Sequence, residues 1–310
     1  MYIHHTEIVD TFAEAFKMWA ARVIITAETP QWAMNAAQSI TGFATSIIGC
    51  KCEAGIEAQL SPEETLDGRP GVSVLFFTVK AEDMGKRLLE RIGQCVLTCP
   101  TTACFDGLQT EQSVVVGGQL RFFGDGYQIS KVLNGRRFWR IPVMEGEFLV
   151  DERFSVQPAI GGGNILILGR DVPATLRATE AAVAAMRTVR GVILPFPGGV
   201  VRSGSKTRSR YKSLFASTND AFCPTLRGIA RETQVPPEVG CVLEIVIDGL
   251  DLKTVEEATR RGIIAAAETG AAVQISAGNY GGTLGQYQIR LHNVLNGKIK
   301  TTEVSKTSVV

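Results

Sequence analysis

The sequence predicts an α+β protein built as one duplication: two pseudo-equivalent units, each a split β-α-β sheet with helices on one face and extra antiparallel hairpins between. Two observations carry this. Apolar runs of strand length alternate with stretches whose apolar residues recur at helical spacing, and the same order of parts occurs in each half of the chain. No shorter period is present, so the pattern is a duplication and not an array.

In the first half, RVIITA (Arg22 to Ala27) has the composition of a buried strand. Thr29 and Pro30 then supply an N-cap and a first-turn proline, with Trp32, Ala36 and Ile40 at helical spacing. GFATSIIG reads as the returning strand. VSVLFFTV opens a second β-α-β, with Met84, Leu88 and Ile92 along one helix face and CVLT closing it. GQLRFFGDGYQIS reads as a strand pair around Gly124-Asp125-Gly126. In KVLNGRRFWRI the Asn134-Gly135 dipeptide between strand-like runs predicts a tight hairpin.

The second half repeats the order. NILILG is an apolar strand, Asp171 can cap a helix carrying Leu176, Val183, Met186 and Val189, and GVILP closes it. CVLEIVID leads to a helix with Leu252, Val255, Thr259, Ile263 and Ala266, and then AVQISA. The boundary is expected near Val150, giving units 1–149 and 150–310, and the polar C-terminal tail is expected to fray.

Composition narrows the function. With 45% apolar and 20% charged residues the chain has the make-up of a globular protein with a sizeable core. A formal charge of +1 argues against a surface built wholly for nucleic acid or membrane. No apolar run reaches the length of a bilayer span, and the N-terminus has no secretory pattern, so a cytoplasmic location is expected. The odd count of seven cysteines fits a reducing compartment. Cys95, Cys99 and Cys104 lack the paired C-x-x-C or nearby histidines of soft-metal sites and read as small buried hydrophobes. The three histidines, His4, His5 and His292, lie near the chain ends, which leaves little for a metal centre or a Ser-His-Asp triad.

PFPGGVVRSGSKTRSRY, from Pro195 to Tyr211, has a G-x-x-x-x-G spacing, but Ser205 stands where a phosphate-cradling loop needs lysine. From Ala181 to Asn219 there are seven Lys/Arg and no Asp or Glu: Arg187, Arg190, Arg202, Lys206, Arg208, Arg210 and Lys212. A solvated basic loop and a local site for a polyanionic small molecule are both open readings; the second fits glycine N–H groups set beside fixed cations. Nucleic acid is the weaker partner, since only Tyr211 and Phe215 are near as stacking groups.

The ordered blocks DTFAEAF, EAGIE, ETLDGRPGV, RIGQCVLTCPT, FFGDGYQ, PFPGGVVRSGSK, ASTNDAFCPT, EIVIDGL and ISAGNYGGTLGQY resemble formylmethanofuran:tetrahydromethanopterin formyltransferases over about Asp10 to Leu291. The resemblance implies two ferredoxin-like lobes, which agrees with the duplication, and transfer of a formyl group between the amine of methanofuran and N5 of tetrahydromethanopterin. No prosthetic group is implied; the two coenzymes are substrates. Their anionic tails make the basic segment part of a coenzyme-binding surface, although charge does not say which carrier it holds. CKCEAGIE and GQCVLTCPTTACF look closer to the forms of methylotrophic bacteria, which implies a homotetramer or a subunit of a formyltransferase/hydrolase complex. Within such a complex, a non-catalytic carrier-binding subunit is the alternative.

Glu244 alternates with Val242 and Val246 on one strand face, where desolvation favours the protonated acid suited to moving a proton between two nitrogens. A solvated edge-strand glutamate is the other reading of the same pattern; the resemblance makes Glu244 an active-site group. Ser217, Thr218, Asn219 and Asp220 form one polar turn that offers hydrogen bonds to a pterin or a formyl oxygen, or else a simple Asx-turn. With that turn, Arg202, Ser205, Lys206 and Arg208 complete the expected substrate-binding set. Cys95, Cys99 and Cys104 are weighed as acyl carriers, with no histidine near in sequence to activate them.

Overall fold

The computed structural model of the chain describes residues 1–207, 209–297 and 302–303. The fold is mixed α+β, and its chain divides into two compact units, Met18–Ala159 and Met1–Lys17 with Ile160–Val310. This grouping differs from a division at 149/150 because the first residues pair with late strands. Thr6–Ile8 runs parallel to Ala272–Ser276, and residues 12–15 pair antiparallel with Tyr287–Arg290.

In the unit of residues 18–159 the sheet order is Glu53–Leu60, Gly71–Thr78, residues 18–26 of the Phe12–Thr26 strand, then Ala103–Asp106. Helices Pro30–Thr41 and Ala81–Arg91 cover one face, burying Ala33, Ala36, Ile40, Met84 and Leu88 against Val23, Ile25, Val74 and Phe76. The sheet continues through Gly146–Asp151, parallel to Ala103–Asp106, to Arg136–Val143 and Ile129–Leu133. The last two strands form the expected Asn134-Gly135 hairpin, both turn residues having positive φ (51° and 78°), the pair that a type I′ turn requires.

Three expected strands are absent from this unit. GFATSIIG forms a turn and a short helix, Ile47–Cys50, whose first N–H donates to the Glu53 carboxylate; the returning strand is Glu53–Leu60. CVLT continues the preceding helix through a wide turn at Ile92–Val96, and the strand is Ala103–Asp106. GQLRFFG is helical, Gly117–Leu120 and Arg121–Gly124. These runs form turns and short helices, which a period count over so few residues cannot separate from a strand.

In the other unit the order is Val192–Ile193, Cys241–Gly249, residues 160–169 of the Gln157–Gly169 strand, then Ala272–Ser276, all antiparallel. Helices Val172–Met186 and Leu252–Glu268 lie side by side on one face, each capped by an aspartate (Asp171, Asp251) accepting from the N3 N–H. Their stripes bury Ala178, Ala182, Met186, Val255 and Ile263 against Ile165, Ile167, Ile245, Ile247 and Ile275. Leu176, expected on that stripe, is exposed because Thr175, Ala178 and Thr179 take the buried positions. Each fully buried isoleucine contributes about 1.5–3 kcal/mol. The C-terminal tail expected to fray lies outside the described residues except Thr302–Glu303, which pairs with Tyr287–Gln288.

Gly240 precedes the Glu244 strand and donates its N–H to Gly169 (3.0 Å); a Cβ there would stand 2.4 Å from the Arg170 carbonyl oxygen. Gly240→Ala should therefore cost about 1–3 kcal/mol in urea-induced unfolding, and an unchanged midpoint would contradict this packing.

Candidate active site

Alternation along Cys241–Gly249 sends Leu243, Ile245 and Ile247 towards the helices and Val242, Glu244 and Val246 to the opposite face. That second face is not open. Leu166 and Leu168 gather there with Phe222, Val235 and Val239 from the long segment after the Val192–Ile193 strand. Glu244 is not on a free edge either. It stands opposite Leu166 on one side, and on the other exchanges two backbone hydrogen bonds with Val201: Val201 N–H to Glu244 O at 2.7 Å and Glu244 N–H to Val201 O at 2.9 Å.

The Glu244 carboxyl has one described side-chain donor. Asn164 donates its Nδ2–H to Glu244 Oε1 at 2.8 Å, while its own Oδ1 accepts from the Gly278 N–H at 2.9 Å. Because the backbone N–H can only donate, the amide of Asn164 is fixed with its nitrogen facing Glu244. Asn164 follows directly on a bulge, where the register shifts between Ile160 and Gly163 and Gly162 adopts φ 78°. Burial pushes the Glu244 carboxyl above the usual carboxylate range, and the Asn164 hydrogen bond opposes that only in part.

Tyr280 completes the cluster. Burial and the neighbouring Glu244 charge raise its phenol, a hydrogen bond with the Ser205 side chain lowers it, and the Glu14 charge adds to the rise. The site thus holds a protonatable carboxyl beside a pair of hydroxyls, the equipment for moving a proton and donating hydrogen bonds to a developing oxyanion.

The expected substrate-binding residues are brought only partly together. The Lys206–Thr207 strand pairs with Ala216–Ser217, so Lys206 stands opposite Ser217 in a small ribbon, and among the described residues no helix directly follows the glycines of PFPGGVVRSGSK. Lys206 Nζ bonds Asp220 Oδ1 at 2.5 Å, so these two neutralise each other, and the lysine holds the Asp220 carboxyl below its usual value. Thr218 Oγ1 reaches the Ser203 carbonyl at 3.5 Å, and Asn219 accepts through its backbone carbonyl from the Phe222 N–H (3.0 Å) and the Cys223 thiol (3.3 Å). Gly204, at φ 56°, lies against the Asn219 side chain. Arg202 is exposed, and Arg208 lies outside the described residues.

Two of the cysteines weighed as acyl carriers, Cys99 and Cys104, lack the lowered thiol pKa of an activated nucleophile. Cys104 is fully buried, and burial with the Asp151 and Asp106 charges pushes its thiol well above the usual range; burial and Glu145 raise Cys99 as well. Among the described residues no group of three or more His, Cys, Asp or Glu is gathered as metal ligands.

Two family models match this sequence, one described as formylmethanofuran-tetrahydromethanopterin formyltransferase over residues 1–143 and one as its proximal lobe over residues 146–294. The chain belongs to this formyltransferase family. A relative from Methylobacillus flagellatus, named formylmethanofuran--tetrahydromethanopterin formyltransferase, is 56% identical over 95% of this chain and 100% of its own. One from Methylorubrum extorquens, named as a subunit of a formyltransferase/hydrolase complex, is 52% identical over 93% of this chain and 96% of its own. Among solved structures, the formyltransferase of Methanosarcina barkeri superposes with a TM-score of 0.91 at 49% identity, covering 95% of this chain and 100% of that one. The Methylorubrum extorquens formyltransferase/hydrolase complex, solved with methylofuran, matches at TM-score 0.92 and 50% identity, covering 95% and 98%.

No local pattern in the sequence singles out Asn164, Tyr280 or Glu14 as members of this site. Two of them lie in blocks that carry the family resemblance: Tyr280 in the glycine-rich ISAGNYGGTLGQY and Glu14 in DTFAEAF.

A raised carboxyl pKa has a stability signature. In the interval above the ordinary glutamate value and below the raised one, the folded chain keeps the Glu244 proton that the unfolded chain has lost, so stability falls as pH rises through it. Glu244→Gln should remove that decline in denaturation midpoints measured across the interval; parallel pH profiles for the two proteins would show that Glu244 titrates ordinarily.

Proposed function

We propose that the Glu244 centre transfers a formyl group directly between the amine nitrogen of methanofuran and N5 of tetrahydromethanopterin, both carriers being bound together. The single observation that supports this most is the half-buried Glu244 carboxyl, held by Asn164 and set beside Tyr280 and Ser205, in a chain of the formyltransferase family. The chemistry balances on one proton. The acceptor nitrogen attacks the formyl carbon and a tetrahedral intermediate forms. Glu244 gives its proton to the departing nitrogen, the C–N bond breaks, and the proton lost by the attacking nitrogen returns to Glu244. Acid–base work of this kind is worth about 10²–10⁴-fold. Donors from Tyr280 and Ser205 to the oxyanion add about 3–4 kcal/mol, and holding the two reactants in attack geometry supplies about 7–11 kcal/mol.

The 195–220 segment, with Arg202, Ser205, Lys206, Arg208, Ser217, Thr218, Asn219 and Asp220, binds the carriers and their anionic tails. The Lys206–Asp220 pair makes this a patterned surface and not a uniformly positive one. Both units are ferredoxin-like lobes; in each, the first, second, third and fourth strands of the β-α-β pairs lie in the order 4-1-3-2. The chain works in the cytoplasm. No helix among the described residues is long and apolar enough to cross a membrane. It acts as part of a formyltransferase/hydrolase complex, as the Methylorubrum relative's name suggests, or as a homotetramer.

Purified chain given both carriers should exchange formyl without other subunits; binding without exchange would favour the carrier-binding reading. Glu244→Gln should lower kcat about 100-fold or more with a smaller change in KM, and an unchanged kcat would remove Glu244 from the chemistry. Lys206→Ala should raise the KM of at least one carrier, most clearly at low salt; unchanged KM for both would remove the ribbon from carrier binding.

A further inference from the structure

Glu14 is a buried carboxylate on the Phe12–Thr26 strand, opposite Gln288, and 2% exposed. Its two oxygens each accept two backbone N–H groups of one turn. Oε1 takes Tyr280 (2.7 Å) and Gly282 (2.6 Å); Oε2 takes Leu284 (2.9 Å) and Gly285 (2.6 Å). The turn wraps the carboxylate closely: a Cβ on Gly285 would stand 2.8 Å from both the Glu14 Cβ and the Ala15 carbonyl oxygen, and Gly281 and Gly282 adopt left-handed φ of 67° and 71°. A second hold comes from Asn279, whose Nδ2–H groups reach Thr11 Oγ1 and the Phe12 carbonyl, both at 3.1 Å.

The same turn delivers both contacts that shape the reaction centre. Gly278 N–H fixes the Asn164 amide against Glu244, and Tyr280 carries the phenol bonded to Ser205. Charge-assisted hydrogen bonds are short and directional, so four of them on one anion set the backbone of the turn more narrowly than its four glycines would alone. We propose that Glu14 is a positioning residue for formyl transfer, its carboxylate folding the 278–285 turn so that Tyr280 and Gly278 meet Ser205 and Asn164. The inference rests on the formyl-transfer reading of this site. Glutamine is the informative replacement: it fits the volume but offers one acceptor oxygen, and it turns an amide donor towards two backbone N–H groups.

The test is a double-mutant cycle on kcat for formyl exchange with Glu14→Gln and Tyr280→Phe, coupling being read from non-additivity. Each single variant should lose about tenfold or more in kcat, with KM changed far less. The double variant should fall no more than about threefold below the worse single, since a displaced turn has already removed the phenol. Multiplicative losses, or a Glu14→Gln kcat within about twofold of wild type, would overturn the proposal. Should Glu14→Gln fail to fold, Asn279→Ala loosens the same turn from its other side and must show the same non-additivity with Tyr280→Phe; an unchanged rate or additive loss there overturns it equally. A wild-type chain unable to exchange formyl would remove the formyl-transfer reading itself, and this inference with it, which the behaviour of the variants alone cannot mimic.

Discussion

One side-chain amide organises the centre. Asn164 accepts from a backbone N–H that cannot be anything but a donor, and so must present its own N–H to Glu244. That single orientation leaves Oε1 as an acceptor and directs any proton of the carboxyl to Oε2. The fold supplies what the amide needs: a bulge that aims Asn164 onto the face opposite the helices, a neighbouring strand that brings Glu244 beside it, and a turn whose first N–H closes the clamp. Neither residue could be fixed this way on a flexible loop.

Two glutamates in the same unit show how local donors decide a carboxyl's state. Both are taken from water, and burial alone raises each. Glu14 receives four backbone N–H groups, which outweigh its burial and leave it below the usual value; Glu244 receives one amide N–H, and burial prevails. The first is thereby an anion that serves structure, the second a carboxyl that holds its proton to higher pH than an ordinary glutamate. Their different tasks follow from a count of donors rather than from a difference in residue type.

Much of this is legible along the chain. Long apolar runs such as VSVLFFTV and CVLEIVID are strands, and Thr29 and Asp171 begin helices as cap chemistry requires. Short runs such as CVLT mislead because four residues cannot distinguish a strand from a buried turn. Glu244 is visible because one charged residue breaks an alternating apolar face. Asn164, Tyr280 and Glu14 are not, since their contacts join positions 75 to 271 residues apart, and no local pattern records them. The basic run presents Lys206 as a free cation for a substrate; its partner Asp220 stands fourteen residues away, in the same polar turn that the sequence assigns to binding.

The central claim is that a protonated Glu244 persists in the folded protein because burial outweighs its single clamp. Infrared difference spectroscopy of wild type against Glu244→Gln, followed through a pH titration, reads that carboxyl directly. A protonated carboxyl C=O band that survives above the ordinary glutamate range, and survives to still higher pH in Asn164→Ala, is the expected result. A band lost at the ordinary glutamate value, or unmoved by Asn164→Ala, would contradict it.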